Sequence, residues 1–203
     1  MAAQLFLHQL PLGPMQNFVY LVGTEGQRDV IVVDPAWDVD AIEKTCAVHC
    51  KRLSGILLTH SHKDHTNGVA ELLRRRDLPI YAQRTEIDFS EDLQAFQDAL
   101  RPLAPGDPVP LGGVVARVIH TPGHTPGSTC FLIGKHLFTG DTLFPGGPGN
   151  TQRDPVRFER IIASIRERLF SLPDNTIVYP GHGRDTTIGR ERPHLEEWIA
   201  RGW

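Results

Sequence analysis

The chain has 203 residues, of which 40% are apolar, 22% charged and 7% aromatic, a composition that excludes disordered, fibrous and collagen-like classes and fits an ordinary folded protein. With 21 Lys and Arg against 24 Asp and Glu the formal charge is −3, so nothing electrostatic draws the molecule to nucleic acid or an anionic membrane, and its partners are expected to be small molecules. Three cysteines cannot all pair, and Cys46 and Cys50 lie one helical turn apart where a disulfide would restrain little, so a reducing compartment, the cytoplasm, is expected.

Residues 5–10 (LFLHQL), 17–22 (NFVYLV) and 29–34 (DVIVVD) read as three strands separated by Gly-rich and Pro-rich turns, the pattern of an antiparallel meander. Residues 39–50 carry apolar side chains at Val39, Ile42 and Cys46 after the capping candidate Asp38, which predicts a helix over one sheet face. A buried strand follows at 53–60 (LSGILLTH), then a polar loop and a second helix over about 67–76 with Arg74, Arg75 and Arg76 on its solvated side. Beyond Pro79-Ile80-Tyr81 the stretch to Leu100 reads as helical or irregular, and 102–113 is rich enough in Pro and Gly to predict an irregular surface excursion. Strand pattern returns at 114–120, 128–133 and 136–141, a helix is expected over 158–170, a last strand at 176–183 and a short helix in the tail 190–203. Strand groups on either side of about residue 110 predict two sheets with helices outside, in one domain over 1–203. No apolar run approaches the ~20 residues of a membrane helix, and no targeting segment is expected.

The segment Thr59-His60-Ser61-His62-Lys63-Asp64-His65 places three imidazoles and a carboxylate within six residues at the end of a predicted strand. Such crowding is costly unless a cation organises it. His60 and His62 are two apart, so extended backbone points both toward one ion, while Asp64 and His65 on the following turn can serve another. His124 in TPGHTPG, Asp141 in GDT and His182 in YPGHG also sit just past strands, where rigid scaffolds carry functional residues. Five His and two Asp suffice for three ligands per divalent ion plus one shared carboxylate. Asp141, alone in its segment and with two acceptor oxygens, is the natural bridge. The absence of Cys from these segments points to a catalytic rather than a closed structural site.

This His-x-His-x-Asp-His string, together with Asp34-Pro35, GDTLF and the Tyr-Pro-Gly-His-Gly segment, resembles the metallo-β-lactamase superfamily and, within it, glyoxalase II-like hydrolases of a short form without the C-terminal helical region. The resemblance implies an αββα sandwich, α/β in class, with two mixed sheets face to face. It implies that His60, His62 and His124 hold a first ion, Asp64, His65 and His182 a second, and that Asp141 bridges them. The expected cofactors are two divalent ions, zinc before iron or manganese. The expected reaction is hydrolysis of an acyl thioester of a low-molecular-weight thiol by a hydroxide that bridges the two ions, with Asp64 also orienting the water. No G-x-S-x-G string offers a serine nucleophile.

The segment after Asp141 departs from the long form, and Arg153 is the residue nearest to a substrate contact there. Asp34 serves either to orient a ligand imidazole or to form a local turn, and the Gly/Pro-rich run after Phe144 is either a loop over the metal rim or a mere connection. Competing readings are a persulfide dioxygenase-like enzyme with one iron on His60, His124 and Asp141, a lactonase or other ester hydrolase of the same fold, and a non-catalytic binding protein. A β-lactamase and a nuclease are disfavoured, the first because those enzymes lack the carboxylate at Asp141, the second because the one dense basic run, Arg74 to Arg76, reads as a solvated helix face.

Overall fold

A computed structural model describes residues 4–111 and 113–202. Gly112, inside the expected irregular run, and Trp203, the last residue of the expected tail helix, lie outside the described residues. Strands β1 (Leu5–Leu12), β2 (Asn17–Thr24) and β3 (Asp29–Val33) form the expected meander, and β4 (Arg52–Leu57), β5 (Ile80–Gln83) and β6 (Leu100–Leu103) add to it in parallel, giving a six-stranded sheet in chain order. In the second sheet β7 (Pro108–Leu111), β8 (Val114–His120), β9 (Thr129–Ile133) and β10 (His136–Gly140) run antiparallel. After a small hairpin of β11 (Leu143–Phe144) and β12 (Gly147–Pro148), β13 (Ile177–Pro180) joins β10 in parallel and β14 (Thr186–Thr187) closes the edge.

The pleat builds the layers. Alternate residues of a strand face opposite sides, so a strand apolar at every position is buried on both. Val19, Leu21, Val30 and Val32 face the helices outside the first sheet, whereas Tyr20, Val22, Ile31 and Val33 face the second sheet and meet Phe131, Phe138 and Val118 there. Each such side chain contributes about 1.5–3 kcal/mol by leaving water. Outside the first sheet lie α1 (Val39–Val48), capped by the Asp38 carboxylate on Ala41 N at 3.0 Å, and, after the short α2 (Lys63–Thr66), α3 (Val69–Arg75). Two further short helices, α4 (Arg84–Phe89) and α5 (Glu91–Gln94), follow β5. The second sheet is covered by α6 (Pro155–Ser164), its π-helical extension Ile165–Leu169, and the tail, in which α7 (Ile188–Glu191) leads through a 3₁₀ turn into α8 (Leu195–Arg201). This is the αββα sandwich of two mixed sheets.

Three expectations are corrected. The run 102–113 contains the end of β6 and all of β7 rather than an irregular excursion; both are outermost strands, where a proline's missing N–H faces away from the ladder. The helix expected over 67–76 starts two residues later, at Val69, after Gly68, whose N–H donates to Pro35 O at 2.8 Å and whose Cβ, if it had one, would lie 2.6 Å from that oxygen. The helix expected over 158–170 starts earlier, at Pro155, because Asp154 accepts from Val156 N and Arg157 N at 2.8 and 3.1 Å and proline suits the first helical position. Cys46, Cys50 and Cys130 are free. No helix among the described residues is long and apolar enough to cross a membrane.

Candidate metal centre

The strand directions decide where the polar segments meet. β3 runs parallel to β4, β8 and β10 are both antiparallel to β9, and β13 is parallel to β10. Asp34 follows β3, residues 59–65 follow β4, His124 follows β8, Asp141 follows β10 and His182 follows β13. The two sheets are stitched together at this rim. Thr129 N donates to Thr59 O at 2.9 Å, Phe18 N to Gly181 O at 2.8 Å, and the Tyr20 hydroxyl to Pro180 O at 2.6 Å. Gly181 is dictated by this closeness: a Cβ there would lie 2.5 Å from the His65 ring and 2.6 Å from Asp141 Oδ1.

All seven expected ligands converge. His60, His62 and His124 form one group, with ring centroids 4.6 to 4.8 Å apart and His124 Nε2 2.9 Å from His62 Nδ1. Asp64, His65 and His182 form a second, with Asp64 Oδ2 3.3 Å from His182 Nε2 and 3.6 Å from His65 Nε2. Asp141 stands between them. Its Oδ2 lies 3.6 Å from His124 Nε2, and its Oδ1 lies 3.3 Å from His65 Nε2 and 3.8 Å from His182 Nε2. The extended backbone at His62 lets the two imidazoles of the string share the first group, and α2 then turns Asp64 and His65 toward the second.

Whether these residues suit cations is answered by the atoms left over. Buried polar atoms are normally paired, yet His60 Nε2, His65 Nε2 and Asp141 Oδ1 are buried without a hydrogen-bond partner among the described residues. These three lie within the cluster; the other unpaired buried side-chain atoms among the described residues belong to Asn17, beside Asp64, and to Thr24, Trp37 and Arg192 outside it. The donor set is imidazole and carboxylate with no thiolate, which suits zinc, iron or manganese in a site with open positions.

The electrostatics divide in the same way. Burial, reinforced by the neighbouring imidazoles, holds His60 far below the usual histidine range, and burial also lowers His62 and His124. These rings stay neutral, with lone pairs free to donate. In the second group burial opposes charge on His65, but Asp141 and then Asp34 overcome it and push the imidazole up to about 10. The hydrogen bond to Asp64 raises His182, and the same bond draws Asp64 far below the usual carboxylate range.

A supporting layer fixes these side chains. Asp34, buried, accepts from Thr59 N at 2.8 Å and Thr59 Oγ1 at 2.6 Å, and its Oδ2 lies 3.1 Å from His65 Nδ1. It therefore orients an imidazole, with Nε2 of His65 left facing the cluster. Asn150 O accepts from His124 Nδ1 at 2.8 Å, so the Gly/Pro-rich run folds back beside the rim. Two supports were not foreseen. Asn17 donates to Asp64 Oδ2 at 3.0 Å, from the first residue of β2. Glu86 is buried in α4; its Oε1 accepts from Ser61 N and Ser61 Oγ at 2.8 and 2.6 Å, and its Oε2 from Thr125 Oγ1 and Gly127 N at 2.7 and 2.9 Å. That single carboxylate joins the loop of His60 and His62 to the loop of His124. Arg153, by contrast, is exposed, has φ 58°, and is absent from the cavity beside His62, which Gln152 and Arg157 line instead.

Known proteins are similar to this chain in sequence and fold. The chain is 38% identical over 88% of its length to a probable polyketide biosynthesis zinc-dependent hydrolase of Bacillus velezensis, covering 78% of that protein. It is 32% identical over 90% of its length to a hydroxyacylglutathione hydrolase of Haemophilus influenzae, covering 93% of it. Among solved structures, TTHA1623 in a di-iron-bound form superposes with a TM-score of 0.77 at 34% identity, over 91% of this chain and 96% of that one. Residues 12–182 match the family model of the metallo-beta-lactamase superfamily, and the chain belongs to that superfamily.

Proposed function

We propose that the chain is a dinuclear metal-dependent thioesterase, of the hydroxyacylglutathione hydrolase type, acting on acyl thioesters of low-molecular-weight thiols. The observation that carries this reading is the placement of Asp141, one oxygen toward each imidazole group, as a carboxylate shared by two ions requires. His60, His62 and His124 would hold the first ion and Asp64, His65 and His182 the second. Zinc is the first candidate, in keeping with the name of the Bacillus relative, while the di-iron neighbour keeps iron as the second. When bound, the pair supplies Lewis acidity toward the substrate carbonyl and the departing thiolate and makes water acidic enough to attack near neutral pH.

The chain's own residues set the geometry of that chemistry. Asp141 fixes the spacing of the two groups, and Asp64, held by Asn17 on one oxygen, orients the attacking water as well as serving as a ligand. Asp34 and Glu86 keep the imidazoles aimed without touching the reacting atoms. Hydrolysis of S-lactoylglutathione and simpler acyl thioesters, by protein reloaded with zinc or iron, tests the reading; turnover that requires two ions per chain is expected. Absence of turnover with either metal overturns it. Oxygen uptake with glutathione persulfide and a single iron would replace it by the mononuclear redox alternative.

A further inference from the structure

Beside His62 lies a cavity of about 230 Å³ whose walls are Phe89 of α4, Gly123, Thr125 and Pro126 of the His124 loop, Gln152 of the loop before α6, and Arg157 and Arg160 of α6. Its charge is one-sided. Arg157, half-buried, donates to Gly123 O at 3.1 Å, to Gln152 Oε1 at 2.8 Å and to His124 O, all neutral acceptors, so its positive charge is fixed in place and meets no carboxylate. Arg160 is exposed at the same wall and has no hydrogen bond or ion pair among the described residues. None of the lining residues is acidic, in a chain whose net charge is −3. The remaining wall is apolar, with Phe89 57% exposed.

The wall is also built stiffly onto the metal centre. Gln152 and Arg153 are consecutive non-glycine residues at φ 57° and 58°, a conformation that persists only where surroundings enforce it. Asn150 supplies the enforcement: its side chain accepts from Gln152 N at 2.7 Å while its carbonyl receives His124 Nδ1 at 2.8 Å.

We infer that this cavity seats a carboxylate-bearing arm of the substrate, the carboxylate against Arg157 and Arg160 and the alkyl portion against Phe89 and Pro126. The inference rests on the thioesterase reading for the identity of the bond that is broken, and on the cavity alone for the charge of the arm. Arg157 braces the His124 loop, so Arg160 is the residue to change. Two matched pairs of thioesters distinguish which side of the bond carries the arm: succinyl against succinamoyl N-acetylcysteamine for the acyl side, and acetyl thioesters of 3-mercaptopropionate against its amide for the thiol side. For one pair the acid is expected to be preferred in kcat/KM, with Arg160→Ala cutting that preference about fivefold, largely through KM, Arg160→Glu cutting it further and Arg160→Lys retaining most of it. Calorimetric titration of the non-hydrolysable thioether analogues into the metal-loaded protein reads the same acid-to-amide ratio without turnover. If no thioester is cleaved but the binding ratio depends on Arg160, the thioesterase reading falls and the cavity assignment stands. If neither ratio changes across the Arg160 variants, the cavity assignment is overturned.

Discussion

The two halves of the metal centre are built on different principles. The group of His60, His62 and His124 contains no carboxylate of its own; its rings are neutral through burial, and it exists because two loops from different sheets are clamped together by Glu86 and steadied by the Asn150 carbonyl. The group of Asp64, His65 and His182 is held by charge, with Asp34 behind His65 and Asn17 beside Asp64. One half depends on loop geometry and the other on ionic partners, and the two should fail in different ways when their supports are removed. Asp141 alone belongs to both.

The largest effect is therefore expected at Asp141. Replacing it with Ala removes the shared carboxylate, and kcat/KM for thioester hydrolysis should fall on the order of 10³-fold. Metal content measured on the same sample should drop while the far-ultraviolet dichroism stays that of the folded chain. A D141A protein that keeps both ions and most of its activity would end the idea of a shared ligand.

Next in size is Asp34→Asn. The buried carboxylate that fixes the His65 ring becomes an amide, and loss of such a supporting contact typically lowers metal affinity by about 10–100-fold. The loss should fall mainly on the ion beside His65, which Asp34 touches directly, and less on the other, which it reaches through Thr59 and His60 Nδ1, seen as a two-step metal titration in which one step weakens more. Equal weakening of both steps would contradict the division drawn above.

Glu86→Gln probes the other half. Both carboxylate oxygens accept from two donors each, so an amide nitrogen at either end would face N–H and O–H donors that it cannot accept. Leaving a buried donor unpaired costs about 1–3 kcal/mol, which urea denaturation should read as lost stability. The titration step less affected by D34N is the one expected to weaken more here.

Much of this centre is legible in the sequence, because its His and Asp residues cluster there or follow recognisable strand ends. The doubly apolar strands were legible for a related reason, since 19–22 and 30–33 are apolar on both faces. The supports were not. Glu86 lies 25 positions from Ser61 and 39 from Thr125, and a lone glutamate in a short helix carries no local mark of its tertiary partners. Asn17 looked like an ordinary strand start for the same reason. Pro102, Pro108 and Pro110 misled in the opposite direction, because proline argues against a strand unless that strand is known to be outermost, which is a property of the whole sheet. Gly68 sets the start of α3 by its contact with the Pro35 carbonyl, which is made by the packing of α3 on the loop after β3 and has no local mark in the sequence.

The smallest effect is expected where the halves share a scaffold rather than a ligand. Tyr20 lies between the sheets and its hydroxyl donates to Pro180 O at 2.6 Å, two residues before His182. Burial, with help from the charges of Asp185 and Asp34, raises this phenol above the ordinary tyrosine range, in keeping with its role as a donor to Pro180 O. Tyr20→Phe keeps the ring and its edge contacts with Phe138 and Tyr179 and deletes one hydrogen bond, at a cost of about 1 kcal/mol. Because the bond ties sheet to sheet and no ligand depends on it directly, the midpoint of urea unfolding should fall while both metal-binding steps stay where they are. A selective loss of the ion held by Asp64, His65 and His182 would instead place Tyr20 among the supports of the charged half and move the boundary between the two.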